Sequence, residues 1–283
     1  MSLEQAEILK LVEKMPAFPQ AVTKVLDLTS RAECSPKELV KVIEHDPIMT
    51  VKILKLVNSA FYGLPRPINS INHGVVYIGI NTIKNLSLSI AAIGMLPQKN
   101  AIDFDMNEFL LHSLGVAAVA KKLALRLGVS DKEAADYFIA GLLHDFGKVV
   151  LAQFKAEEYR QALDIADVGN VSLFTAEQQV FGTDHAEIGG LLAETWKLPQ
   201  NLIESIRNHH NPQADVADTL MIDCIYAADA VVNSISVGFS GNRLVEPFPE
   251  TVEQRFRADL PTLVEQLGDL SSEIEQARQF IQQ

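Results

Sequence analysis

Apolar positions recur with helical spacing along almost the whole chain. In NEFLLHSLGVAAVAKKLALRLG (residues 107–128), for example, apolar residues return every three or four positions, so that one side of a helix is suited to burial. We find no segment in which apolar and polar residues alternate over enough positions to predict a strand. The pattern therefore predicts an all-α protein built as a helical bundle.

Helix start signals support this interpretation. Ser35 to Glu38 (SPKE) has the form of a capping box with proline at the first helical position, and it predicts a helix that ends near Glu44. Asp46-Pro47 predicts a second start, and Ser130 to Glu133 predicts a third, which leads into GLLHDFGK (141–148). We assign Asp184 to the N-cap of a further helix.

Breaks in the pattern suggest how the chain is organised. Residues 58–67 contain two prolines and a glycine and predict a loop, followed by helices at 70–80 and 82–94. The polar stretch 97–105 is the best candidate boundary. We predict an N-terminal helical subdomain (1–97), a helical core that holds the candidate site (98–240), and a C-terminal tail (241–283) that consists of a surface segment and one closing amphipathic helix.

Composition excludes several classes of protein. The chain has 24 Lys and Arg against 36 Asp and Glu, a net charge of −12, which repels a phosphate backbone and disfavours broad nucleic-acid binding, even with a local patch at Lys52, Lys55 and Arg66. The longest apolar stretch, 86–96, is too short for a membrane span. The chain has two cysteines, 190 positions apart, which indicate neither a disulfide framework nor a zinc ribbon. We expect a cytoplasmic protein without a membrane partner.

Histidines and acidic residues form the most informative pattern. Five of the seven histidines lie between positions 112 and 210, on several predicted helices. His112 and Asp229 both lie on otherwise apolar helix faces, where an unpaired charge or polar group is costly. Because a divalent ion needs nitrogen and oxygen ligands at ~2.0–2.2 Å from several helices, a shared metal site would explain both positions.

Each of these residues also has an ordinary structural explanation. For His45 and His73 we favour a hydrogen bond to a backbone carbonyl group. His209-His210 could be cations at a helix C-terminus, Asp145 could cap the segment that follows it, and Lys148 could be a solvated charge. Taken together, however, the histidines and acidic residues favour one common site.

The order of these residues resembles the HD superfamily of metal-dependent phosphohydrolases. That resemblance implies a first metal bound by His112, His144, Asp145 and Asp229. It implies a second metal bound by His185, His209 and His210, where dinuclear members place their ligands. Asp145 and Lys148 would be the catalytic residues. The cofactor would be one or two divalent ions, with iron, manganese, magnesium and zinc all open.

Three N-terminal segments narrow the resemblance: MPAFPQAVTKVLDL (15–28), SPKELVKVIEHDPIMTVKILKLVNSAFYG (35–63) and INSINHGVVYIGINTIKNL (68–86). They resemble the HDOD domain, the HD-related output domain of bacterial signalling proteins. The resemblance implies an all-helical fold with an N-terminal helical subdomain, and signalling proteins or a small phosphorylated ligand as partners.

Two functions remain open after this comparison. One is a regulatory HDOD module with a retained metal site, and the other is a metal-dependent phosphohydrolase. A cyclic-di-GMP phosphodiesterase is disfavoured, because HHNPQADVADTL (209–220) has no Gly-Tyr-Pro sequence after the histidine pair.

Overall fold

The computed structural model describes residues 5–17, 19–29, 35–58, 66–97, 101–102, 104–241 and 244–281. In these ranges the regular structure is helical throughout and contains no strand. The all-α prediction is therefore confirmed. The helices are α1 (Gln5–Val12), α2 (Gln20–Thr29), α3 (Pro36–Glu44), α4 (Pro47–Val57), α5 (Ile71–Ile78), α6 (Ile80–Gly94), α7 (Met106–Arg126), α8 (Asp131–Leu143), α9 (Phe146–Phe154), α10 (Ala156–Gly169), α11 (Leu173–Phe181), α12 (His185–Thr195), α13 (Gln200–Asn208), α14 (Leu220–Ser234), α15 (Glu250–Phe256), α16 (Leu260–Leu267) and α17 (Ser271–Ile281).

The predicted helix starts agree with these boundaries. At α8 the Ser130 hydroxyl accepts from the Glu133 amide at 3.3 Å, the N-cap bond of the predicted capping box, and it donates to the Glu133 carboxylate at 2.7 Å. Asp46 accepts from the Met49 amide at 3.0 Å at the start of α4. Ser35 does precede α3, but its side chain makes no capping bond. The predicted loop at 58–67 falls largely on residues 59–65, outside the described ranges.

The long helix α7 lies at the centre of the C-terminal half and packs against α8, α14 and α17. A Cβ on Gly141 of α8 would lie 2.7 Å from Ala117 Cα, so α7 and α8 are in close backbone contact. The loop after α14 returns to α7, where Gly238 has a φ of 66° and the Phe239 amide donates to the Glu108 carbonyl at 3.0 Å. These contacts bring α7, α8 and α14 together beside His112.

A second close crossing joins α9 to α12. A Cβ on Gly147 would lie 1.9 Å from the carbonyl oxygen of His185, a separation that only glycine allows. α13 packs along α12 and also contacts α8 and α14. The ends of α8, α12 and α13 therefore meet at the same place as the middle of α7.

The N-terminal helices pack on this core chiefly through α6 and α1. Asn85 donates to the Ala135 carbonyl at 2.6 Å, and Lys84 pairs with Asp136 at 3.1 Å, which links α6 to α8. One cluster of buried apolar residues extends from Ile8 to Ala277. The division of the chain at residues 97 and 240 stays a prediction.

The C-terminal segment differs from its prediction. Instead of one closing helix it contains α15, α16 and α17, with Val252 and Leu263 buried. Arg255 Nε lies 2.8 Å from an Asp223 carboxylate oxygen on α14, and Lys122 of α7 pairs with Glu273 at 3.0 Å. Helices of seven to eleven residues are too short to show a clear apolar period, which is why the expectation was incomplete.

In the described part of the chain, none of the single helices is both long and apolar enough to cross a membrane. α5 and α6 reach the required length and composition only as a pair, and they are bent by 120° relative to each other.

Candidate metal centre

All seven predicted ligand residues lie at one buried place in the helical core. They come from the middle of α7 (His112), the α8–α9 junction (His144 and Asp145), the first residue of α12 (His185), the end of α13 (His209 and His210) and α14 (Asp229). The side chains of His112, His144, Asp145, His185 and His209 are at most 1% exposed, whereas Asp229 is 14% exposed and His210 is partly buried.

One group consists of His112, His144 and Asp229, with one oxygen of Asp145. His112 Nε2 lies 3.0 Å from Asp229 Oδ1, and His144 Nε2 lies 3.3 Å from Asp145 Oδ2. The two cross distances, His112 Nε2 to Asp145 Oδ2 and His144 Nε2 to Asp229 Oδ1, are both 3.8 Å. Two ligands that each lie ~2.1 Å from one ion are themselves roughly 3–3.5 Å apart, so this group has the spacing of a ligand set.

A second group consists of His185, His209 and His210. His185 Nε2 lies 3.2 Å from His209 Nε2 and 2.9 Å from His210 Nε2. The other oxygen of Asp145, Oδ1, lies 3.2 Å from His185 Nε2 and 3.7 Å from His209 Nε2. Asp145 therefore presents Oδ2 to the first group and Oδ1 to the second, the arrangement of a carboxylate that bridges two metal positions.

Hydrogen bonds at the opposite ring nitrogens determine which nitrogen faces the site. His144 Nδ1 lies 2.7 Å from the Gly141 carbonyl oxygen, and His209 Nδ1 lies 2.7 Å from the Ile206 carbonyl oxygen. Because a carbonyl oxygen only accepts, each Nδ1 carries the hydrogen and each Nε2 presents a lone pair. If the Nε2 lone pairs of neighbouring rings face one another at about 3 Å, they repel unless a cation or a proton lies between them.

Several of these atoms have no ordinary partner. Within the described part of the chain, His112 Nε2, His144 Nε2 and Asp145 Oδ1 are buried without a hydrogen bond, since the close approaches above are not aligned for one. Buried polar atoms normally have such a partner. A divalent ion would satisfy these atoms, and the donor set of imidazole and carboxylate suits iron, manganese or zinc.

Two of the alternative explanations are contradicted. Asp145 occupies the N-cap position of α9, yet its side chain accepts no capping hydrogen bond. Lys148 is only 2% exposed, and its Nζ lies 2.7 Å from Asp145 Oδ2 and 3.2 Å from Ser240 Oγ. Lys148 is therefore a buried cation of the site and not a solvated surface charge.

The charges of the site shift several pKa values. Burial alone would raise the pKa of the Asp145 carboxyl, but the neighbouring His144 and Lys148 outweigh it and hold that pKa well below its usual value. Burial, together with the neighbouring histidines, lowers the pKa of His209 and of His210 well below the ordinary value. Both rings are therefore neutral near pH 7 and can donate lone pairs.

His185 is shifted in the opposite direction. Burial, the largest influence, would lower its pKa, but the charge of Glu177 and the hydrogen bonds to Asp145 and Glu177 together outweigh burial and raise the pKa to about 9. Glu177 Oε2 lies 2.5 Å from His185 Nδ1. In the metal-free protein His185 therefore carries a proton that a bound metal would displace.

Sequence reasoning missed Glu177 and Ser240. Glu177 lies four residues from both Leu173 and Phe181, so it shares an apolar helix face with them, the same signal that singled out Asp229. Ser240 lies in a loop, and no pattern in the neighbouring sequence indicated a role in the site. Outside the site, Asp184 caps α12 as predicted, and His45 Nδ1 lies 2.6 Å from the Lys41 carbonyl oxygen. His73 is exposed.

A cavity of about 250 Å³ opens beside the ligand residues. Asp229 and His210 are among the residues that line it, together with Phe174, Tyr226 and Asn233. Neither lysine nor arginine is present among its described lining residues. The Phe174 ring centroid lies 4.9 Å from that of His210. A small ligand in this cavity would reach both groups of ligand residues from solvent.

The family model of the HDOD domain matches residues 15–212 of this chain. The chain belongs to the HDOD family. Both the resemblance that the N-terminal segments indicated and the expected helical fold are thereby confirmed.

Relatives of this HDOD chain differ widely in length and overlap. An uncharacterised protein of Treponema pallidum (strain Nichols) is 26% identical over 253 residues, which cover 89% of this chain and 48% of that protein. Ribonuclease Y of Thermus thermophilus is 34% identical over 122 residues, 43% of this chain and 16% of the enzyme. The chain thus spans about half the length of the first relative and a small part of the second.

The fold is also present in a solved structure. The crystal structure of an HDOD domain protein of unknown function from Geobacter sulfurreducens superposes with a TM-score of 0.78. The two proteins are 23% identical, and the match covers 99% of both chains. At this level of identity the likeness shows the fold, and the chemistry must be argued from the site itself.

Proposed function

We propose that this HDOD protein is a regulatory signalling protein that binds two divalent metal ions and, through them, a small phosphorylated ligand. His112, His144 and Asp229 would hold one ion, and His185, His209 and His210 the other. The observation that carries the proposal is Asp145, whose two oxygens lie within 3.3 Å of nitrogens from the two different groups.

The neighbouring cavity supports a phosphorylated ligand. Asp229 and His210 line it, so a phosphate that enters it would lie beside a residue of each metal position. Because the described lining residues include no lysine or arginine, the charge of the phosphate would have to be balanced by the bound ions. Phe174 and Tyr226 would contact the remainder of the ligand. Ligand binding would then depend on metal.

A metal-dependent phosphohydrolase is the second candidate, and Lys148 favours it. When bound, the metals would lower the pKa of a coordinated water toward ~7 and so supply a hydroxide nucleophile. Asp145 would be a ligand to both ions, with one carboxylate oxygen for each. Lys148, held 2.7 Å from Asp145, would place a positive charge where negative charge develops on the phosphate. The partial similarity to Ribonuclease Y adds phosphodiesters to the compounds worth testing.

Metal analysis is the first test. The parent protein, purified without chelators, should contain one or two equivalents of a transition metal by elemental analysis. Asp145→Ala should contain almost none, because it removes a ligand from both positions. Asp164→Ala, which removes an exposed carboxylate on α10, is the matched control and should retain the metal. A parent protein that stays metal-free after reconstitution would contradict the proposal.

The two candidates are separated by a panel of phosphate esters. Phosphomonoesters, nucleotides, cyclic nucleotides and short RNA would be incubated with the metal-loaded protein, and the same compounds would be tested for binding by calorimetry. Metal-dependent binding without turnover supports the regulatory function. Turnover that Asp145→Ala and Lys148→Ala abolish, while Asp164→Ala retains it, supports the hydrolase. Neither binding nor turnover would contradict both.

A further inference from the structure

Glu177 of α11 is a fully buried carboxylate that lies outside the ligand set. Its Oε2 accepts from the backbone amide of His185 at 2.8 Å and lies 2.5 Å from His185 Nδ1. Among the described residues Glu177 forms an ion pair with His185 and with no lysine or arginine. A buried carboxylate needs a compensating positive charge, and among the described residues the ring of His185 is the one that supplies it.

The contact determines both the position and the protonation of that ring. His185 is the first residue of α12, so the bond to its amide holds the start of the helix while the bond to Nδ1 sets the ring angle. Because the carboxylate accepts at Nδ1, Nε2 is the nitrogen that faces His209, His210 and Asp145 Oδ1. Once a bound metal displaces the proton of His185, the lone pair on Nε2 is thereby directed into the second group of ligands.

His185 differs in this respect from two other histidines of the site. His144 and His209 are each held by a neutral backbone carbonyl oxygen. His185 is held by a full negative charge. A carboxylate behind an imidazole makes the opposite nitrogen a stronger electron donor and keeps it in one orientation, and loss of such a partner typically lowers metal affinity ~10- to 100-fold.

We propose that Glu177 is a positioning residue for the second metal position, which it strengthens selectively through His185. This inference rests on the proposed function in that it requires metal binding, but it requires neither turnover nor a phosphorylated ligand. It assigns to Glu177 a role that is separate from folding, because the effect should appear at one metal position and not at the other.

Metal titration of the full chain tests this. The protein would be stripped with a chelator and titrated with Co²⁺, with calorimetry and the visible absorption of the bound ion as the two measurements. Asp229→Ala and His210→Ala first identify which binding step belongs to which position. Glu177→Gln should then weaken the step that His210→Ala removes by roughly 10-fold and leave the other step unchanged. Glu194→Gln, an exposed carboxylate on the same helix as His185, is the matched control.

A double-mutant cycle separates positioning from general support. In a His185→Ala background, Glu177→Gln should cause no further loss of Co²⁺ affinity, because the ring through which it acts is absent. Thermal unfolding of the metal-free variants checks that they are folded. If the glutamine variant does not fold, Glu177→Asp, which keeps the charge but shortens the side chain, should likewise weaken only the second step.

Several results would overturn the inference. They are an unchanged second step in Glu177→Gln, equal losses at both steps, a further loss in the His185→Ala background, or a parent protein whose single ion survives His210→Ala. These outcomes leave the proposed function in place. A parent protein that binds no Co²⁺ at all would contradict the proposed function as well, so the two failures can be told apart.

Discussion

At the level of single residues, the site depends on buried polar atoms that lack ordinary partners. Asp145 is the most informative of them, because each of its oxygens faces a different group of imidazoles and one also contacts Lys148. A buried ion pair contributes little net stability when intact, but removal of one partner leaves an uncompensated charge. The metal-free protein therefore relies on Lys148, which is the nearest cation, together with protonated His185 to balance Asp145.

Lys148→Met tests this balance. The substitution should lower the free energy of unfolding of the metal-free protein by about 3 kcal/mol, because the Asp145 carboxylate then stays buried without its cation. Added Zn²⁺ or Mn²⁺ should recover part of the loss by supplying positive charge at the same place. Urea unfolding with and without metal measures both effects. Lys122→Met, which removes a half-exposed pair with Glu273, should cost less than about 1 kcal/mol. Equal losses in the two variants would contradict the interpretation.

At the level of elements, the site is built where helices end. His144 and Asp145 lie between α8 and α9, His185 begins α12, and His209 follows the last residue of α13. Helix ends have free backbone groups and carry side chains that leave the helix axis, so three ends that meet can surround an ion in a way that one helix turn cannot. The α9–α12 crossing at Gly147 holds two of these ends together.

Gly147→Ala is expected to disrupt that crossing. The added methyl would lie 1.9 Å from the His185 carbonyl oxygen, so α9 and α12 must separate, and the cost should be about 3 kcal/mol or more. Metal affinity should fall with it, since His185 moves away from Asp145. Gly94→Ala, where an added Cβ meets nothing within 4 Å, should be neutral or slightly stabilising. Thermal unfolding and metal titration of both variants are the measurements, and a Gly147→Ala protein as stable as Gly94→Ala would refute the crossing.

At the level of the whole molecule, the C-terminal helices are part of the core that supports the site. α17 packs on α7, which carries His112, and α15 and α16 pack on α14, which carries Asp229. Arg255 joins α15 to α14 through Asp223. The C-terminal helices thus stabilise the two helices that carry His112 and Asp229.

Leu263→Ala measures that integration. Leu263 of α16 is 1% exposed, so its truncation should lower the free energy of unfolding of the whole protein by about 2–5 kcal/mol. The same truncation at an exposed position, Val168→Ala (88% exposed in the parent), should change it by less than about 0.5 kcal/mol. If the C-terminal helices unfolded separately, Leu263→Ala would leave the main unfolding transition, followed by circular dichroism, unchanged.

The sequence by itself determined the helical class, many helix boundaries and the identity of the residues that meet at the site. Helix starts such as those at Asp46 and Ser130 follow from capping bonds that span three residues, so a short stretch of sequence is enough to predict them. His112 and Asp229 stood out because a polar group on an apolar face has a cost that local pattern reveals.

Only the tertiary structure decided how those residues face one another. The division of Asp145 between two groups, the burial of Lys148 against Ser240 and the support of His185 by Glu177 depend on the packing of separate helices. No local rule specifies the distance between two side chains that lie tens of residues apart in the sequence. That distance depends on how the whole core packs, including the close helix contacts at Gly141 and Gly147.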